Sequence, residues 1–268
     1  MTDRPTTDEA PDARAPAAPP AAITAVDVTL AHGTNVVLAG ASLTIGLGTH
    51  TSVIGPNGSG KSTFLRAVAG LLPVRAGRLD VPAARRRGGV AVVFQSPAVD
   101  TSLPVTVREV VSMGRYPHRG PIRPLTAADR RIVADACERM EVGDLVRHPL
   151  DALSGGQRQR VMVAQALAQE ADLLLLDEPA TALDLPSQAL VDAAIAAEVE
   201  AGRTVVSSTH DLADAGRADV VVLLAGRIVA VGPPEVALAD GPLREAYGER
   251  MVTLDGGAVL LDDPHHGH

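Results

Sequence analysis

The chain has 268 residues, a formal net charge of −8 and a hydrophobic fraction of 46%, enough for a real core in one large domain or two small ones. The acidic balance argues against a general nucleic-acid binder, whose footprint is basic, and against direct adhesion to anionic lipid. The longest strictly apolar run, 220–225, is far short of the ~20 residues that span a bilayer, and the lone Cys137 excludes an internal disulfide and fits a reducing compartment, so the chain reads as cytoplasmic.

Residues 1–22 are Pro, Ala and acidic residues without periodicity, and they read as a disordered tail that lacks the apolar stretch of a secretory signal. From Ile23 onward short apolar runs alternate with helix-length amphipathic stretches, the pattern of an α/β domain with a mostly buried sheet. Strands are predicted at 23–30, 42–45, 51–54, 90–94, 173–176, 204–208, 220–224 and 228–231, and helices start at Lys61, Val107, Ala127, Gly155, Pro186 and Asp211. Between Gln95 and Leu153 the strand signals stop, and Thr106 and Glu109 make a capping box for the first helix there. A helical insertion at about 96–160 therefore interrupts the α/β core, which extends over 23–248. Residues 249–268 hold a small hairpin on a Gly-Gly turn and a polar tail.

The stretch GPNGSGKST (Gly55, Pro56, Asn57, Gly58, Ser59, Gly60, Lys61, Ser62, Thr63) follows a predicted strand and opens a helix, the context a phosphate loop requires. Its glycines let backbone N–H groups wrap a phosphate, Lys61 reaches the β and γ oxygens, and the Ser62 hydroxyl can ligate magnesium. Lys61 is the sole lysine among 24 Lys and Arg residues, so the exception sits where a slim point charge is needed. DLLLLDEP, 172–179, is a buried strand ending in two acids: Asp177 is suited to bind Mg²⁺ and Glu178 to polarise an attacking water as general base. Two more predicted strands end in candidates for the same site. Gln95 would sense the γ-phosphate and the metal, and His210 would hydrogen-bond the γ-phosphate and the water. All of these lie at the C-terminal edge of a parallel sheet, where such sheets bind ligands.

A second anion-favouring feature is LSGGQRQR, 153–160. Ser154 and Gln157 form the S-x-x-Q arrangement of a helix start, and Gly155 and Gly156 let something approach its N-terminus closely. A helix cap alone does not explain two adjacent glycines at a costly helical position.

In their order and spacing GPNGSGKST, Gln95, LSGGQRQR, LLLLDEP, TALD and STHD resemble the nucleotide-binding subunits of ABC transporters over roughly residues 22–248. The resemblance implies a RecA-like P-loop NTPase core with an inserted α-helical subdomain and a small N-terminal antiparallel β part, and ATP hydrolysis with Mg²⁺. It also implies a head-to-tail homodimer, in which Ser154, Gly155, Gly156 and Gln157 of one copy face the γ-phosphate held by Lys61 of the other, and it places Asp184 of TALD at the nucleotide. Such subunits sit at the cytoplasmic face of the membrane and drive integral-membrane permease subunits, with a solute-binding protein involved only indirectly and no nucleic acid. One departure concerns adenine. The family stacks it on an aromatic residue after the first strand, whereas this chain has LAHGT there, leaving His32 as the substitute or as a plain loop residue.

The segment after Gln95 and the GPPEV and REAYG stretches are similar to importers of the zinc and manganese type, while GRYPHRG is also similar to iron-siderophore and cobalamin importers. A soluble ABC ATPase acting on ribosomes or DNA is the reading from another class. Such proteins generally carry two motif sets or a long coiled-coil insertion, and neither occurs here. His265, His266 and His268 are borderline-soft ligands suited to Zn²⁺, in a regulatory or buffering role or as a passive tail.

Overall fold

The computed structural model describes residues 20–94, 105–181, 183–248, 251–253 and 259–261. In chain order its strands are β1 (Ala21–His32), β2 (Asn35–Gly46), β3 (His50–Ile54), β4 (Ala76–Asp80), β5 (Val90–Val93), β6 (Leu173–Asp177), β7 (Thr204–Thr209), β8 (Val220–Leu224), β9 (Ile228–Gly232), β10 (Met251–Thr253) and β11 (Val259–Leu261). The helices are α1 (Lys61–Val68), α2 (Val107–Met113), α3 (Tyr116–Arg119), α4 (Ala127–Arg139), α5 (Gly155–Ala168), α6 (Leu185–Glu200), α7 (Leu212–Ala215), α8 (Pro234–Ala237) and α9 (Asp240–Tyr247).

The main sheet has the order β5-β6-β7-β3-β8-β9, parallel throughout except for the antiparallel edge strand β9. β6 is buried along its whole length, which is why its sequence LLLLD is a continuous apolar run rather than an alternation. A separate antiparallel sheet, β2-β1-β4, packs through Ile23, Leu30, Leu38 and Ile45 onto Phe64 and Leu65 of α1. On the other side of the main sheet a second apolar cluster joins β5 and β6 to α2, α4 and α5 through residues such as Val107, Val133, Met140 and Val161.

The capping boxes at Thr106 and Ser154 both form, and a third, at Thr126 with Asp129, starts α4. That Asp129 is buried and also takes Arg115 at 3.1 Å and Arg119 at 2.7 Å, while Arg115 reaches the Ala168 carbonyl at 2.9 Å. Charge thus ties α3 and α4 to the end of α5.

Differences from the sequence expectation have local causes. β2 extends over twelve residues because Gly40, at φ +59°, takes up a break in the ladder with β1 that hides the strand's period. β4 pairs through backbone while most of its side chains stay exposed, so it carries no apolar signal. The hairpin near the C-terminus is present as β10 paired with β11, its Gly-Gly turn lying outside the described residues. Among the described residues no helix is long and apolar enough to cross a membrane.

Candidate active site

The loop from Gly55 to Gly60 leaves β3 and enters α1 at Lys61. Gly60 stands at φ +106° as the left-handed residue before the helix, and a Cβ on Gly55 would fall 2.0 Å from the Leu224 carbonyl oxygen, so glycine is a packing necessity at the latter. Phe64 N–H is bonded to the Gly60 carbonyl at 2.8 Å, and the N–H groups of the first turn ahead of it form a helix N-terminus suited to an anion. Lys61 is buried and lies across its own loop, donating to the Gly55 carbonyl at 2.8 Å. Among the described residues the buried Ser59 hydroxyl has no hydrogen-bond partner, an orphan that a phosphate oxygen would satisfy. The tip, Asn57 and Gly58, is exposed, and Pro56 anchors it by accepting from Ser59 N–H at 3.1 Å.

Adjacent strand ends bring the acids to this loop. Ser62 Oγ donates to Asp177 Oδ1 at 3.0 Å, and Ser208 Oγ donates to the same oxygen at 2.6 Å. Asp177 is almost fully buried, the last residue of β6 rather than the first beyond it. Ser62 and Asp177 offer a hydroxyl and a carboxylate, oxygen donors of the hard kind that Mg²⁺ takes. Glu178 adopts φ +51°, a strained conformation for a side chain of its size. Its carboxylate accepts from Thr181 Oγ1 at 3.1 Å, and His210 Nδ1 stands 3.8 Å from Glu178 Oε2. Glu178 and His210 line a cleft of about 180 Å³ with Thr181, Asp192, Asp211 and Asp214. In it the Asp214 carboxyl is pushed up by burial and by Asp211 and Asp192, against the pull of Arg217.

Gln95 lies outside the described residues, as do His265, His266 and His268. His32 closes β1 and its Nε2 is 3.2 Å from Thr63 Oγ1, so its ring is fixed beside the first turn of α1. Ser154 and Gln157 are engaged with each other, Ser154 accepting from Gln157 N–H at 3.2 Å and donating its own N–H to Gln157 Oε1 at 3.0 Å. Ser154 and Gly155 are exposed, and a Cβ on Gly155 would meet nothing within 4 Å among the described residues. Gly156 faces Leu183, and Gln159 Nε2 donates to the Pro179 carbonyl at 3.3 Å, so α5 is joined to the loop that carries Glu178. Asp184 caps α6 by accepting from Ser187 N–H at 3.0 Å, and hydrogen bonding from the Ser187 side chain first, then from its backbone, lowers the Asp184 pKa.

Sequence reasoning missed Ser208 and Thr181, which hold the two acids. Serine and threonine are too common in strands and loops to signal such a role. Only the register of β7 against β6, pairing Asp177 with Ser208, identifies the former.

Residues 26–181 match the ABC transporter family. Over 263 residues the chain is 42% identical to the hemin import ATP-binding protein of Streptomyces coelicolor, covering 92% of this chain and 91% of that one. It is 35% identical over 234 residues to the manganese transport system ATP-binding protein of Listeria monocytogenes, covering 86% and 98%. Its fold is shared with an ATP-binding cassette of an ABC transporter solved in an ADP conformation, at a TM-score of 0.72 and 24% identity over 85% of this chain and 99% of that one. The chain belongs to the ABC transporter family. It is an ATP-hydrolysing subunit, with the α/β P-loop core and antiparallel β part that the resemblance implies.

Proposed function

We propose that the chain powers uptake of a transition metal, manganese or zinc, through separate membrane subunits. The observation that carries the mechanism is the meeting of the phosphate loop, Asp177, Glu178 and His210 at one sheet edge, while the Ser154 end of α5 is left exposed. Lys61 and the loop N–H groups hold the ATP phosphates, and His32 borders the base. Ser62, Asp177 and Gln95 would hold Mg²⁺, whose charge neutralises that developing on the phosphate oxygens. Glu178 takes the proton of the attacking water, with His210 orienting the γ-phosphate. Ser154, Gly155, Gly156 and Gln157 serve the γ-phosphate of a second copy, beside Asp184. A head-to-tail homodimer thus closes on ATP and reopens after hydrolysis, at the cytoplasmic face of permease subunits that receive cargo from a solute-binding protein.

The manganese-transport relative, matched over nearly its full length, supports the metal cargo. The more identical hemin-import relative favours a second reading, an iron chelate. Uptake of labelled manganese, zinc and hemin by cells lacking the chain separates the two, since only the true cargo falls and is restored by the intact chain. For the mechanism, Glu178→Gln is expected to give an ATP-stabilised dimer with hydrolysis nearly abolished. Turnover at the original rate would remove Glu178 from the base role.

A further inference from the structure

β7 carries two successive serines, and successive side chains of a strand leave on opposite faces. Ser207 Oγ meets His50 Nε2 at 2.8 Å on one face. Ser208, 0% exposed, turns to the other. Because Asp177 and Ser208 are register partners in the parallel ladder, their side chains rise from the same face, and Ser208 Oγ donates its one proton to Asp177 Oδ1 at 2.6 Å. That donation orients the hydroxyl, leaving a lone pair that accepts Glu178 N–H at 3.0 Å, while the Ser208 carbonyl accepts the same N–H at 3.2 Å. The left-handed backbone at Glu178, φ +51°, is therefore pinned by the residue that also pins Asp177.

We propose that Ser208 is a positioning residue whose hydroxyl locks the metal-binding carboxylate of Asp177 to the backbone of Glu178, so that metal ligand and general base are aimed as one unit. The proposal rests on the roles given to Asp177 and Glu178 above. Ser62 also donates to Asp177, but it is itself assigned to the ion, which leaves Ser208 as the donor behind the site. Outer partners of metal ligands act through orientation and ligand basicity.

The test measures Mn²⁺ affinity of the full chain by electron paramagnetic resonance in the presence of ATP, beside steady-state hydrolysis. Ser208→Ala is expected to weaken Mn²⁺ binding and to lower kcat, each by roughly 10-fold, with KM for ATP little changed. Ser208→Thr, which keeps the hydroxyl, is expected to recover most of the Mn²⁺ affinity. Ser207→Ala, which loses a bond on the opposite face, is expected to bind Mn²⁺ like the unmodified chain. Should Ser208→Ala not fold, Ser208→Cys keeps the volume with a weak donor and is read in the same way. Unchanged Mn²⁺ affinity and kcat in the folded Ser208 variant would overturn the proposal. Asp177→Asn in the same assay separates the two failures: weakened binding there beside an unaltered Ser208→Ala removes only the role of Ser208. Unaltered binding in Asp177→Asn removes the metal reading of the site and the role of Ser208 with it.

Discussion

Ser62 and Asp177, 115 positions apart in the chain, are joined by a hydrogen bond of 3.0 Å that links the first turn of α1 to the end of β6. The phosphate loop and the acidic strand end are thereby a single pre-formed unit. Asp177→Asn keeps the shape and removes the charge, and it is expected to lower ATP turnover by roughly 100-fold, in the range for loss of one electrostatic stabiliser. Chelation of divalent ions is expected to stop turnover of the unmodified chain. Phosphate release followed against Mg²⁺ concentration checks both.

A stability prediction concerns Asp129, which accepts from Thr126, Arg115 and Arg119 within the helical part. Asp129→Ala removes the acceptor of Arg115 Nε, although Arg115 keeps Glu170 at 2.9 Å and the Ala168 carbonyl, and a buried donor left without its acceptor typically costs about 1–3 kcal/mol. The Thr126 hydroxyl first, then Arg119, hold the Asp129 carboxyl well below the usual carboxylate range. Its contribution is thus complete at neutral pH and is lost as pH falls through that range and below. Denaturant unfolding at pH 7 and at acid pH is expected to show a gap between variant and unmodified chain at pH 7 that narrows in acid.

His50 adds an acid sensitivity of the same sign in a higher pH window, from a group buried neutral rather than ionised. Burial lowers its pKa from 6.5 to about 4, against the pull of Asp219. The unfolded chain takes up a proton near pH 6.5 that the folded chain refuses until about pH 4, so stability falls across that window. The slope from this one group is roughly 1.4 kcal/mol per pH unit. His50→Gln, which cannot titrate, is expected to flatten that part of the stability profile, as read by unfolding midpoints between pH 4 and 7.

Much of the site was legible in the sequence because its chemistry is local. The Gly55–Thr63 loop, the two acids after LLLL and the Ser154 cap each declare themselves within a few residues. The core strands were legible for a related reason: a strand buried on both faces must be apolar throughout, as β6 and β8 are. What escaped depends on distant partners. β4 exists because β1 offers it an edge, the left-handed turn at Glu178 is held by Ser208 from the next strand, and the buried Asp129 needs Arg115 and Arg119 to fold back onto it. Short α8 and α9 lie against β8 and β9 with too few turns to show a period, although they bury Ala237, Leu243 and Tyr247.

The exposed Ser154 end of α5 bears on the claim that one copy holds only half of a working site. The direct measurement is ATP turnover by a mixture of two variants, Lys61→Ala and Ser154→Arg, each nearly inactive alone. A mixed pair contains one site whose Lys61 and facing Ser154 are both intact, so mixing is expected to restore a substantial fraction of the unmodified rate. A mixture as inactive as its parts, or full turnover by Ser154→Arg alone, would contradict the shared site.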